Sequence, residues 1–177
     1  LEEASFDPSS IVGSLRTKTN SNFRAGQSKY FVVEACEYLS HFLHFNPDVL
    51  VVTNLEHEHV DYFKDLEQVQ SEFSKLARKV PKDGAIITSV KDESVIPILE
   101  GVEAQIFDYK EVLDLQFDLP QPGLHNHLNA AAARRTAEFL GIEKKYVDEA
   151  LLGFAGTKRR FESVSYTHLT LPTTGVV

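Results

Sequence analysis

Methionine is missing from all 177 residues, position 1 included, and there is a single cysteine, Cys36. The first absence leads us to expect a piece of a longer chain. The second excludes an internal disulfide and any cysteine-rich zinc site. No apolar run approaches the roughly 18 residues of a membrane span. The opening LEEASFDPSS also lacks the basic and apolar stretches of a signal peptide. We therefore expect a cytoplasmic protein with no membrane partner. Positive charge is scarce too: 18 Lys and Arg stand against 26 Asp and Glu, a net charge of −8. That argues against nucleic acid as a partner. Phosphate ligands stay open, because a helix N-terminus or a few local cations can hold them. What is present, 42% hydrophobic and 25% charged residues, is the balance of a soluble domain with its own core.

The segment Val49 to Asp61, VLVVTNLEHEHVD, organises the rest. Val49 to Thr53 are mostly β-branched and apolar and predict a buried strand. Asn54 ends it, and Glu56, His57, Glu58 and His59 then crowd before a helical pattern. Carboxylates and imidazoles thus stand at the carboxyl end of a strand, where open α/β sheets bind ligands. A second apolar strand, Tyr30 to Val33, also ends on an acid, Glu34. Two neighbouring parallel strands ending in this way would place both groups at one edge.

Taken in order, residues 1–29 read as a short strand near Ile11 to Leu15 followed by a loop holding Asn22, Arg24 and Gly26. A short helix follows Glu37, and Phe42 to Phe45 turn their aromatics inward. Val60, Phe63, Leu66, Val69, Phe73, Leu76 and Val80 recur every three or four residues, which predicts a long amphipathic helix. Pro81 and Gly84 stop it. Ala85 to Ser89 and Ala104 to Tyr109 are further strands, with a short helix between them over Glu93 to Leu99. The alternation of strand and helix means α/β, a mostly parallel sheet flanked by helices. Val112 to Leu119 alternates and predicts an exposed, antiparallel strand. HNHLNAAAARRTAEFL favours helix, Gly141 ends it, and Glu143 to Phe154 forms another. From Ser163 the chain carries neither charge nor periodicity, so 163–177 is expected to be foreign to the domain or unstructured.

Three constellations carry candidate chemistry. Glu34 with His59 suits a hard cation such as magnesium; the alternative is a solvated strand-end acid and a helix-capping histidine. His57 and His59, two apart, would not share a helical face. His125, Asn126 and Asn129 open the alanine-rich helix, as caps or as contacts to a polar ligand. Lys158, Arg159 and Arg160 form a basic turn, either solvated or placed to hold a phosphate.

Together these segments resemble the Mur ligases, the ATP-dependent amide-forming enzymes of peptidoglycan precursor synthesis. Phe31 to Tyr38 (FVVEACEY) resembles the family's strand-end EADE motif, and Thr53 to Asp61 its TN-I-E-x-DH-x-D segment. Gly123 to Ala133 is similar to its G-x-HN-x-xNAAAA helix, and Gly156 to Glu162 to its GT-x-RRF-D/E turn. The match covers about residues 10–162, as part of the family's central P-loop-type ATP-binding domain, incomplete on its N-terminal side.

The resemblance implies ATP and Mg2+ as cofactors. Glu34 and His59 would be catalytic and would bind the magnesium. His125, Asn126, Asn129 and Arg160 would contact the nucleotide, and Asn22 stands where the family has a functional Asn, although Thr, Asn and Ser replace the usual glycines around it. Cys36 and Leu39 stand for Asp, and Glu58 does too. The EA-x-E form and the GT-x-RRFE ending look most like the branch that joins L-alanine to UDP-N-acetylmuramate, and next like the branch that recycles a murein tripeptide. Folyl-polyglutamate and cyanophycin synthetases share the central fold. The family's phosphate loop, G-x-x-G-K-[ST], does not occur in these residues; it is expected upstream, with a UDP-sugar domain before it and an amino-acid-binding domain after 162. Two other classes remain: a non-catalytic nucleotide-binding relative, and a zinc metallohydrolase using His57, Glu58 and His59.

Overall fold

A computed structural model of the chain describes residues 1–57 and 59–156. Lys158 to Arg160 and the segment 163–177 lie outside those residues, as does Glu58. Among the described residues six strands divide into two sheets of three. In the first, β1 (Ser9–Arg16) lies between β2 (Ser21–Arg24), antiparallel to it, and β3 (Phe31–Val33), parallel to it. In the second, β4 (Val49–Val52), β5 (Ala85–Thr88) and β6 (Gln105–Asp108) are all parallel, in that order.

The all-parallel sheet is built around β5, whose four residues are all buried. Alternate side chains of a strand point to opposite faces. Accordingly Ile86 joins a core with Leu50, Val52, Phe42, Val69, Leu76 and Ile98. Its neighbours Ala85 and Ile87 pack instead with Tyr109, Ala131 and Ala132. The first core is covered by α1 (Leu66–Ala77), the second by α2 (Leu124–Phe139). Each fully buried aliphatic side chain here contributes roughly 1.5–3 kcal/mol of transfer free energy. A third helix, α3 (Lys144–Leu152), joins α2 through an ion pair between Arg134 and Asp148 at 2.9 Å. The fold class is the expected α/β one, with a parallel sheet flanked by helices.

Four local expectations are corrected. Helix α1 begins at Leu66, although the apolar steps run back to Val60. The Asp65 carboxylate accepts from the Gln68 amide at 2.8 Å, and the Gln68 side chain accepts from the Lys64 amide at 2.8 Å. This reciprocal cap fixes the start, and Val60 is left 74% exposed. Val112 to Leu119 is not a strand: Asp108 caps a 3-10 turn over Tyr109–Val112, and Asp114 accepts from the Gln116 amide, closing the next turn. Asn22 lies in β2 rather than in a loop. Lastly, β3 and β4 are not hydrogen-bonded neighbours, since each is an outer strand of a different sheet.

The two outer strands face a common groove of about 380 Å³. It is lined by Val32 of β3, Val51 and Thr53 at β4, and Asn129, Ala133 and Ala137 of α2. Val32 and Val51 remain 44% and 42% exposed there. Among the described residues no helix is long and apolar enough to cross a membrane.

Candidate functional site at the carboxyl end of the parallel sheet

The ends of β4, β5 and β6 are tied together by side chains reaching back to backbone. Thr88 donates to the Val52 carbonyl at 2.8 Å, and the Tyr109 hydroxyl donates to the Thr53 carbonyl at 2.6 Å. Burial pushes the Tyr109 hydroxyl up from its ordinary range, so it stays a donor at neutral pH. Beyond this edge the chain from Thr53 turns outward. The Asn54 side chain donates to Glu56 at 3.2 Å. Both residues line a cleft of about 190 Å³ with Glu37, Leu55, Phe63 and Phe73.

The two histidines lie in an irregular loop rather than on a helix, and they take different partners. His57 Nε2 lies 2.8 Å from the Phe63 carbonyl and closes the loop on itself. His59 turns the other way, its Nε2 3.0 Å from Oε1 of Glu37. It adopts a left-handed backbone conformation, φ +50°, which is uncommon outside glycine and collects at functional sites. Its carbonyl accepts from the Tyr62 and Phe63 amides at 2.8 and 2.9 Å. Asp65, not His59, caps α1, so the capping alternative does not apply.

Facing this loop is the segment after β3. Glu34 does not reach across to His59 as its partner in an ion pair; its Oε2 accepts from the Gly13 amide of β1 at 2.7 Å. The lack of a Cβ at Gly13 matters here, since one would stand 3.1 Å from Glu34 Oε1. Three residues on, Glu37 takes His59. Tyr38 lays its ring 5.2 Å from the imidazole and donates its hydroxyl to Asp61 at 3.3 Å. The Asp61 charge holds the Tyr38 hydroxyl above its usual range. Leu39 and Ser40, at φ +53° and +55°, turn the chain sharply so that Phe42 enters the core. Glu37 is the residue that reading the sequence for roles missed. Its signal was there, as the second acid of EA-x-E.

Helix α2 reaches this edge through Asn129, in the groove with Thr53. Gly123 opens it at φ +106° without a side-chain cap. A Cβ there would stand 2.8 Å from the His125 ring. We expect Gly123→Ala to cost about 1–3 kcal/mol through backbone strain and displacement of that ring; chemical denaturation measures it, and an unchanged midpoint would refute the packing. Asn126 donates back to the Pro122 carbonyl at 2.8 Å and so acts within its own turn. Asn129 sits one turn further on, in that groove. Asn22 is exposed on the outer strand of the other sheet, and Arg160 lies outside the described residues.

No group of three or more His, Cys, Asp or Glu is placed to hold a metal among the described residues. Magnesium does not require one. It commonly takes one or two protein groups and completes its shell with phosphate oxygens and water. Glu34 and His59 would be two such groups.

An α/β domain with a parallel three-stranded sheet and a histidine–carboxylate pair beyond its carboxyl edge belongs to the class of folds that bind their ligands beyond the carboxyl ends of the strands. The family follows from direct comparison. Residues 15–110 match the Mur ligase middle domain, and the chain belongs to the Mur ligase family. Among its relatives are UDP-N-acetylmuramate–L-alanine ligases of Caldicellulosiruptor saccharolyticus, 32% identical, and Desulfitobacterium hafniense, 35% identical. Each alignment covers 93% of this chain and 42% of the relative. The chain therefore spans about two-fifths of the length of these curated relatives. The crystal structure of UDP-N-acetylmuramate:L-alanyl-gamma-D-glutamyl-meso-diaminopimelate ligase from Neisseria meningitides superposes with a TM-score of 0.80 at 26% identity, over 90% of this chain and 61% of that one. A UDP-N-acetylmuramate–alanine ligase from Thermotoga maritima superposes at 0.73 and 23% identity, over 91% and 41%, and shows the shared fold.

Proposed function

We propose that residues 1–162 are part of the central ATP-binding domain of a ligase that joins L-alanine to UDP-N-acetylmuramate, with 163–177 not belonging to that domain. The reaction would activate the muramyl carboxylate as an acyl phosphate, which the alanine amine then attacks. The observation that carries this is the closure of the two motif loops on each other, His59 against Glu37, beyond the carboxyl end of β4. The longer relatives at 32–35% identity are UDP-N-acetylmuramate–L-alanine ligases.

In this reading Glu34 and His59 hold magnesium, and the carboxylate of Glu37 backs the imidazole. Bound there, the cation would neutralise charge on the transferring phosphoryl group. Asn129 meets the nucleotide from the groove beside Thr53. His125, Asn126 and Arg160 are assigned to the nucleotide by the motifs they share with the family, and Asn22 by standing where the family has a functional Asn.

The test is made on the longer protein that carries this segment. Supplied with ATP, magnesium ions, UDP-N-acetylmuramate and L-alanine, it should release ADP only when both substrates are present. Preference for a murein tripeptide over L-alanine would move it to the recycling branch. Nucleotide binding without ADP release would make it a non-catalytic relative.

A further inference from the structure

Glu37 is not among the residues assigned to the cation or the nucleotide, yet its carboxylate stands 3.0 Å from the His59 imidazole. Several contacts fix the residue and flank its ring. Its backbone is pinned by two amides donating to the His59 carbonyl, and the Tyr38 ring stands beside it, held in turn by Asp61. One nitrogen, Nε2, lies 3.0 Å from Glu37 Oε1. An ionised carboxylate only accepts, so a neutral imidazole in this contact must carry its proton on Nε2. The lone pair is then on Nδ1. Histidines that bind metals usually donate their other N–H to a carboxylate, which fixes the ring and raises its basicity.

We propose that Glu37 is a positioning residue, holding His59 as the Nε2–H tautomer so that Nδ1 is the atom offered to a divalent cation. The carboxylates of the EA-x-E segment then have separate tasks. Glu34 answers to the Gly13 amide on β1, and Glu37 answers to the imidazole. The proposal rests on the functional reading above for the cation, but not for the tautomer.

Two measurements test it. Long-range proton–nitrogen correlation spectra of the 177-residue chain, followed upward in pH until the His59 signals stop moving, should show the neutral ring only as the Nε2–H form. His59→Gln identifies the signals. Glu37→Ala should bring in the second tautomer, whereas Glu37→Gln, whose amide oxygen still accepts, should retain the first. A dominant Nδ1–H form in the wild type, or spectra indifferent to Glu37→Ala, would overturn the proposal.

The second measurement is Mn2+ affinity, read by electron paramagnetic resonance on the longer ligase with ATP. Glu37→Ala should weaken it about 10–100-fold and should do nothing further in a His59→Ala background. An equal loss in both backgrounds would make Glu37 a ligand in its own right and end the positioning role. Absence of Mn2+ binding in the wild type would instead refute the functional reading, and the tautomer spectra would still decide the role of Glu37.

Discussion

Given ATP and magnesium ions, with or without UDP-N-acetylmuramate and L-alanine, the 177-residue chain should release no ADP above the spontaneous background. In the function proposed here, the residues that carry the family's motifs would serve the cation and the nucleotide without enclosing its phosphates. A phosphate loop works by surrounding the β- and γ-phosphates with backbone N–H groups and a lysine. No G-x-x-G-K-[ST] run occurs in the chain. Without it nothing aligns the γ-phosphoryl group with an acceptor, and orientation alone accounts for about 7–11 kcal/mol of a typical enzymatic barrier. Coupled detection of ADP over hours is sensitive enough for the comparison. Substrate-dependent release from this chain would mean that its own residues bind the phosphates, and would overturn the division of labour proposed for the domain.

The parts of the fold legible in the sequence were those whose pattern is purely local. AIITS is continuous and apolar because β5 is covered on both faces, by α1 and by α2. The steps Leu66, Val69, Phe73 and Leu76 mark the face of α1 turned to that sheet. Where a polar contact competes with hydrophobic spacing, the reading failed. Val60 and Phe63 extend the helical pattern, yet Asp65 and Gln68 start the helix after them. The alternation over Val112 to Leu119 gives way to the turns set by Asp108 and Asp114. The polar residues of β2 gave no strand pattern at all. The largest misreading was the adjacency of β3 and β4. Both strands are apolar and both end near acids, but which strands pair is a non-local matter, and a short run of valines does not encode it. Each leaves an apolar face on the groove between them.

For the site, the position of His59 followed from the loop that leaves β4, but what separates it from His57 is the loop conformation and not a helical spacing. The partner of His59 did not follow from the sequence. Glu34 and Glu37 are both strand-end acids in the sequence, and only the left-handed turn at Leu39 and Ser40, with Tyr38 folded against His59, reveals which of them faces the imidazole. A strained turn of that kind has no compositional signal when it contains no glycine.

The difference between the two histidines gives the other large expected effect. In the longer ligase, His59→Ala and Glu34→Ala should each lower turnover by about 10²–10³-fold, the cost of removing one preorganised group that stabilises charge in a transition state. Both should leave the domain folded, because neither side chain is part of either hydrophobic core. His57→Ala should behave in the opposite way. Its Nε2 contact to the Phe63 carbonyl holds the loop above a buried ring, so its loss should cost about 1 kcal/mol of stability while turnover stays close to wild type. Thermal denaturation and substrate-saturated ADP release, run on the same preparations, separate the two quantities. If His57→Ala instead removes turnover and His59→Ala removes only stability, the assignment of the two histidines is reversed, and with it the metal role given to His59.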